Sequence, residues 1–355
     1  MPPAESAHVS RTDAPRPGPA PAWLGRMLEP VYRAAVRRRN ARFDRGEDVR
    51  RFTIPVISIG NLSVGGTGKT PMVAHIVRLL IEQGRKPAIV MRGYKKARGT
   101  AAQSDEQAEY LDMFGDAVPV LADPDRCRSI AALERNRSAD AVVMDDGFQH
   151  RRVHRDLDIV LLDATRDVFT DRLLPRGWLR EPVESLSRAH VIVLTHAEAV
   201  SVDARESSRQ HAAALAPNTV WCEAEHAWSS LSFFGATADA TAPPEWLNGR
   251  TVILACGIGN PDAFERQCKQ AGARIIEKFI RPDHHHWSLS DVRDIQQASA
   301  RAGAACVLTT MKDWVKLRAV DGANDLGWAV PRLSMNATRG ADELSHLIRR
   351  VTKQS

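Results

Sequence analysis

The sequence is short of several things, and each shortage removes a class of protein. No segment reaches the roughly 18 uninterrupted apolar residues of a bilayer-spanning helix, so no spanning helix is expected. The first twenty residues, MPPAESAHVSRTDAPRPGPA, hold no apolar run that could serve as a signal peptide. Five cysteines (Cys127, Cys222, Cys256, Cys268, Cys306) form no C-x-x-C pair, which suits a reducing compartment. Together these absences lead to the expectation of a cytoplasmic protein. No internal repeat occurs, and the Pro/Ala-rich beginning is the one low-complexity segment. No basic module interleaved with aromatics follows it, so nucleic acid is not an expected partner.

What is present is enough for large cores. The 355 residues suit one large or two medium domains, and 43% of them are apolar. The net charge of +6 is modest but unevenly placed. Seven arginines (Arg26, Arg33, Arg37, Arg38, Arg39, Arg42, Arg45) stand between Ala22 and Arg45 against only Glu29 and Asp44. In the same stretch Trp23, Leu24, Met27, Leu28, Val31 and Ala35 recur at three- and four-residue spacing, which predicts an amphipathic helix with one apolar and one basic face. Two readings are open for it. It is an interfacial membrane helix whose arginines meet anionic headgroups, or it packs on its own domain with a solvated arginine face.

Further along, strand patterns at 55–59, 87–90, 141–144, 159–162 and 191–195 alternate with helix-length stretches such as 71–83, which has Pro71 near its first turn. That alternation predicts a mostly parallel sheet covered by helices on both faces. A polar, proline-bearing region at 236–244 reads as a boundary. Beyond it TVILACGIGNP, ARIIEKFI, AACVLTT and GWAVPRL read as strands, with helices near 262–271, 290–302 and 342–351. The expected organisation is a tail (1–21), the basic helix (22–45), a P-loop domain (46–240) and a smaller C-terminal α/β domain (241–355).

Three stretches carry chemistry. IPVISIGNLSVGGTGKTPM (54–72) is a strand, a glycine-rich turn and a helix start. Such a turn aims backbone N–H groups and a helix N-terminus at one point, where a polyphosphate would sit. Lys69 would reach the β- and γ-phosphates and the Thr70 hydroxyl would ligate Mg2+. The strict pattern has glycine where Ser63 stands, but Gly65, Gly66 and Gly68 supply the flexibility. AVVMDDGFQHRR (141–152) ends a strand in Asp145 and Asp146, at the sheet edge from which the loop also emerges, where one carboxylate could hold Mg2+. FIRPDHHHWSLSD (279–291) places three histidines after a strand. Consecutive residues in an extended segment point to alternate faces, so a general base oriented by a carboxylate fits better than zinc. Spacing alone gives no role to QSDEQAEY or LLPRGWLREP.

Taken in order, GNLSVGGTGKTP, RGY, SDE, DDGFQH, LLPRGWLREP, RPDHHHWS and TMKDWVKL make the chain resemble one family, the tetraacyldisaccharide 4'-kinases, also called lipid A 4'-kinases. The resemblance runs from the basic helix to the C-terminal helix. It implies transfer of the γ-phosphate of ATP, with Mg2+, to the 4'-hydroxyl of a tetraacylated glucosamine disaccharide 1-phosphate, giving lipid IVA. On the residues, it implies that Thr67 and Gly68 join the cradle with Lys69 and Thr70, and that Asp105 and His284 form the catalytic pair. It further implies that Asp145 and Asp146 are the magnesium-side acids with Gln149 beside them, and that Arg180, Glu181 and Asp283 stand on the substrate side. The extra histidine, His286, leaves His284 or His285 as the base. The family works at the cytoplasmic face of the inner membrane, which favours membrane docking for the 22–45 helix. The rival is a P-loop switch ATPase or GTPase at the membrane surface, although the guanine-reading pattern Asn/Thr-Lys-x-Asp is absent: TMKD carries its lysine one place late.

Overall fold

The computed structural model describes residues 18–93, 105–236, 240–283 and 285–353. They divide into two compact units. Among the described residues, the first unit takes 18–93, 114–226 and 335–353, and the second takes 105–113, 227–236, 240–283 and 285–334.

The first unit opens on α1 (Ala22–Asp44), β1 (Val56–Asn61), α2 (Lys69–Glu82) and β2 (Pro87–Met91). The helix α3 (Asp105–Phe114) lies almost wholly in the second unit. The first unit resumes with β3 (Val120–Ala122), α4 (Arg126–Asn136), β4 (Ala141–Asp145), β5 (Leu157–Asp163), β6 (Val191–Thr195), α5 (Val202–Leu215) and the start of β7 (Val220–Gly235). Its strands run β7-β6-β5-β1-β4-β2-β3, and every pairing in that row is parallel. The central strands are buried along their whole length, which in a parallel sheet requires cover on both faces. Alternate residues supply that cover: Val160, Leu162, Ile192 and Leu194 form one cluster with Ala212 of α5, and Ala88, Val90, Val142 and Met144 form another with Ile130 and Leu133 of α4.

The second unit contains the rest of β7, then β8 (Thr241–Ala242), β9 (Thr251–Cys256), α6 (Pro261–Gln270), β10 (Arg274–Ile280), α7 (Leu289–Ala302), β11 (Cys306–Leu308), α8 (Met311–Leu317) and most of β12 (Gly327–Arg339). Its strand order is β10-β9-β11-β12-β7. Ile253, Ala255, Val307 and Trp328 face the apolar sides of α7 and α8, while Val252, Leu254, Cys256 and Leu308 pack on Phe264 and Cys268 of α6. All five cysteines are buried free thiols.

The chain thus passes between units at α3, within β7 and within β12, rather than once near residue 240. The C-terminal helix α9 (Ala341–Lys353) returns to the first unit, where Arg85 donates to the Thr352 carbonyl. Sequence periodicity finds such a helix but does not say which sheet it covers.

The helix α1 combines features of both readings. It packs on the first unit through Gly25, Glu29 and Val36, which are buried, and through polar contacts. Glu29 pairs with Arg176 at 3.0 Å, the Tyr32 hydroxyl donates to the Arg180 carbonyl at 3.0 Å, and Asp44 pairs with Arg151 at 2.6 Å. Trp23, Met27 and Val31, four residues apart on one stripe, are left 69%, 60% and 66% exposed. No helix among the described residues is long and apolar enough to cross a membrane.

Candidate active site

The strand β1 delivers the chain into the glycine loop, and α2 starts at Lys69. Gly68 stands at the junction with φ +78°, and a Cβ there would come within 2.5 Å of the His226 ring, so conformation and space both demand glycine. Thr67 is buried, and its carbonyl accepts from the Thr195 hydroxyl at 3.1 Å, which ties the loop to the end of β6. Val64 donates to the Trp178 carbonyl at 2.8 Å and fixes the other end. The first turn of α2 contains no acid, so its N–H groups, Lys69 and Thr70 form one electropositive corner.

Next to β1 lies β4, with Ile59 in register with Asp145, so the acidic strand end emerges beside the loop. Asp146 follows in a left-handed conformation (φ +48°). Its carboxylate lies 3.7 Å from Lys69 Nζ and receives Arg180 Nη1 on both oxygens, at 3.0 and 2.8 Å. Gln149 accepts from the same guanidinium at 3.3 Å and donates to the Asn61 carbonyl at 2.9 Å. Burial by itself would raise the Asp146 pKa, but Lys69 and then Arg180 outweigh it and hold the group below the ordinary aspartate range. The acid therefore stays ionised. Arg126, itself buried, donates to the carbonyls of Asp145 and Asp146 at 3.1 and 3.2 Å and fixes the turn from behind.

The donor set fits Mg2+. Thr70, Asp145 and Asp146 offer hard oxygen ligands, and among the described residues no cluster of three His, Cys, Asp or Glu forms an all-protein cage. Mg2+ is commonly held by one or two carboxylates together with phosphate oxygens and water.

Arg180 and Glu181 are neighbours with opposite surroundings. Arg180 is aimed at Asp146. Glu181, expected on the substrate side, is fully buried and accepts from Arg39 (3.0 Å), Asn40 (2.9 Å) and Arg188 (2.9 Å). Burial opposes its ionisation, but Arg188 and the other donors lower its pKa.

In the second unit, Asp105 opens α3, but its side chain and the whole of His284 lie outside the described residues. Asp283 pairs with Lys312 at 2.8 Å. His285 Nε2 sits 3.2 Å from Asp291 Oδ2, and Asp291 also receives the Ser288 hydroxyl at 2.8 Å and Arg281 at 2.8 Å in the capping box of α7. Burial pushes the Asp291 pKa up, yet the Ser288 and Arg281 hydrogen bonds take it well below the carboxylate range. The aspartate of TMKDWVKL, Asp313, is buried and accepts from the Gly257 amide (2.9 Å), Trp287 Nε1 (3.1 Å) and the Thr310 hydroxyl (2.7 Å).

Sequence reasoning missed a buried group behind the glycine loop. His196 and His226 stack with ring centroids 4.1 Å apart, and His196 Nδ1 lies 3.2 Å from Asp163 Oδ1. Burial, then the charge of His196, pushes His226 down to about 3. Burial also opposes a charge on His196, but its hydrogen bond to Asp163 wins and raises its pKa. The available signal was position: Asp163 and His196 stand at the C-terminal ends of adjacent parallel strands, the edge where ligands of open α/β sheets bind.

A glycine loop between a buried parallel strand and a helix, with lysine at the helix start and paired acids on the adjacent strand end, defines a P-loop phosphotransferase. The sequence matches the family described as tetraacyldisaccharide-1-P 4'-kinase (LpxK) over residues 21–353. It is 37% identical over 350 residues to the tetraacyldisaccharide 4'-kinase of Anaeromyxobacter dehalogenans strain 2CP-C, covering 93% of this chain and 91% of the relative. It is 31% identical over 355 residues to that of Chlorobium luteolum, covering 93% and 98%. A crystal structure of LpxK from Aquifex aeolicus in complex with ATP superposes with a TM-score of 0.72 at 27% identity, covering 92% of this chain and 98% of that one. The chain belongs to the tetraacyldisaccharide 4'-kinase family, and it is a kinase.

Proposed function

We propose that this kinase transfers the γ-phosphate of ATP to the 4'-hydroxyl of a tetraacylated glucosamine disaccharide 1-phosphate, giving lipid IVA. The observation that carries the reading is the Lys69–Asp146–Arg180 cluster at the mouth of the glycine loop, in a chain matched to the family over residues 21–353. The loop amides from Gly65 to Gly68 and Lys69 bind the phosphates and neutralise charge on the transferring group. Thr70, Asp145 and Asp146 would hold Mg2+, which supplies further charge neutralisation when bound. Gln149 and Asp146 keep Arg180 aligned on the substrate side.

Asp105 and His284 serve as the orienting acid and the base that takes the proton of the sugar hydroxyl. We place the base at His284, as the family resemblance suggests; His285 Nε2 faces Asp291, which is itself held in the cap of α7. Asp283 stands next to that base. The enzyme works at the cytoplasmic face of the inner membrane, seated through α1: Trp23, Met27 and Val31 enter the interface, and exposed arginines such as Arg26, Arg37 and Arg38 meet anionic headgroups. The polar contacts that dock α1 on the protein leave that stripe facing outward, which supports this placement.

The test is transfer of label from γ-labelled ATP to tetraacyldisaccharide 1-phosphate in detergent micelles, with wild type beside Lys69→Ala. Labelled lipid from wild type alone is the expected result. ATP hydrolysis without labelled lipid would turn the reading toward a switch ATPase. Flotation with anionic vesicles tests the seating: the triple change of Trp23, Met27 and Val31 to serine is expected to release the protein, and undiminished flotation would refute α1 as the anchor.

A further inference from the structure

We infer that Arg166 is a second cation of the phosphate site, reaching the terminal phosphate of bound nucleotide from the Gly65 end of the loop while Lys69 serves the other end. The strand β5 pairs with β1 in parallel, Asn61 in register with Leu161, so the turn after β5 emerges beside the glycine loop. That turn is tightly built. Asp163 Oδ1 accepts from the amide and the hydroxyl of Thr165 at 3.0 and 2.7 Å, and its backbone carbonyl accepts from the Arg166 amide at 3.0 Å.

From this base the Arg166 side chain extends over the loop. A Cβ placed on Gly65 would lie 2.8 Å from Nη1, 3.7 Å from Cζ and 3.8 Å from Nη2, so the guanidinium edge rests against the loop backbone. Its Nε is 3.8 Å from Asp163 Oδ2, an electrostatic tether longer than a hydrogen bond. Asp163 is already committed to Thr165 and stands 3.2 Å from His196. Among the described residues the Arg166 side chain makes no hydrogen bond, and it is 28% exposed.

A guanidinium pressed against a loop of N–H donors and the start of a helix gains nothing from that neighbourhood until an anion arrives. Its planar fork matches two oxygens of one phosphate. The charge that spreads over the equatorial oxygens during phosphoryl transfer is what an arginine supplied by the same chain can stabilise. Asp163 then acts as a positioning residue, holding Arg166 over Gly65 and His196 against His226, which packs on Gly68.

The inference about turnover rests on the kinase reading, so a second readout is independent of it. Full-length wild type, Arg166→Ala and Arg166→Lys are titrated calorimetrically with ADP and with a nonhydrolysable ATP analogue, and lipid phosphorylation is measured with and without added guanidinium ion at sub-denaturing concentration. Arg166→Ala is expected to weaken the triphosphate about tenfold more than the diphosphate and to lower kcat by about 10^2-fold or more. Guanidinium should restore part of that loss, and Arg166→Lys should fall between. Equal weakening of both nucleotides at unchanged Tm, or full kcat in Arg166→Ala, would overturn the assignment. Should Arg166→Ala fail to fold, the same split is read from Arg166→Lys. Wild type without lipid product but with the nucleotide split intact would sink the kinase reading and leave Arg166 standing.

Discussion

Two loops follow strand ends in this molecule and carry acids beside basic groups, yet they hold their charges differently. After β4, Asp146 is shared by Lys69 at 3.7 Å and Arg180 at 2.8 Å, so one of its two cations is in loose contact. After β10, Asp291 is saturated by neighbours: Ser288, Arg281 and His285 all lie within 3.2 Å of it. The first arrangement keeps a lysine within reach of something else. The second closes a helix cap, and the histidine drawn into it has a structural occupation. Inside a motif as rich as RPDHHHWS, the residues absorbed by the cap are the ones least available for chemistry.

Removing one partner from each arrangement should break the two in different ways. Lys69→Ala is expected to cost about 10^3-fold or more in kcat, about 4 kcal/mol of transition-state stabilisation, with the folded state intact by circular dichroism. Next in size, His284→Ala should lower kcat by about 10^2-fold or more while nucleotide affinity holds. His285→Asn should leave kcat nearly unchanged and lower the unfolding midpoint instead. If His285→Asn lost turnover and His284→Ala kept it, the contrast between the loops would collapse. Asp291→Ala should destabilise the second unit by about 1 to 2 kcal/mol, from loss of the cap and of the Arg281 partner, measured by denaturant titration.

A further effect is on pH. His226 has a folded pKa of about 3, whereas an unfolded histidine titrates near 6.5. Between those values the unfolded chain binds the extra proton, so stability falls as pH drops below about 6.5, by at most about 1.4 kcal/mol per unit. His196 has the opposite sign. Its pKa is raised, so its contribution is present at low pH and is lost as pH rises through the folded value. Replacing His226 by phenylalanine should flatten the acid side of the stability profile, and an unchanged slope between pH 7 and pH 5 would refute the assignment.

The phosphate loop, the acidic strand end and the α/β alternation were legible in the sequence because each is local: a hydrophobic run, a glycine cluster, a lysine, all within twenty residues. The ordered motifs carried the family for the same reason. What stayed hidden depends on register. Asp163, His196 and His226 are far apart in sequence and meet only because β5, β6 and β7 are parallel neighbours. The contacts that Glu29, Tyr32 and Asp44 of α1 make were not legible, since their partners lie more than a hundred residues downstream. The return of α9 to the first unit was equally out of reach, because an amphipathic helix fits any apolar sheet face.

Arg180 is gripped at both ends. Its guanidinium faces Asp146, its carbonyl accepts from Tyr32 of α1, and the residue after it, Glu181, is clasped by Arg39 and Asn40 of the same helix. Cutting the chain after Asp44 to obtain a more tractable enzyme would therefore do more than remove the proposed membrane anchor. It would strip two cationic or amide partners from a fully buried glutamate and loosen the segment that aims an arginine at the phosphate corner, so any activity lost in such a truncation could not be credited to anchoring alone.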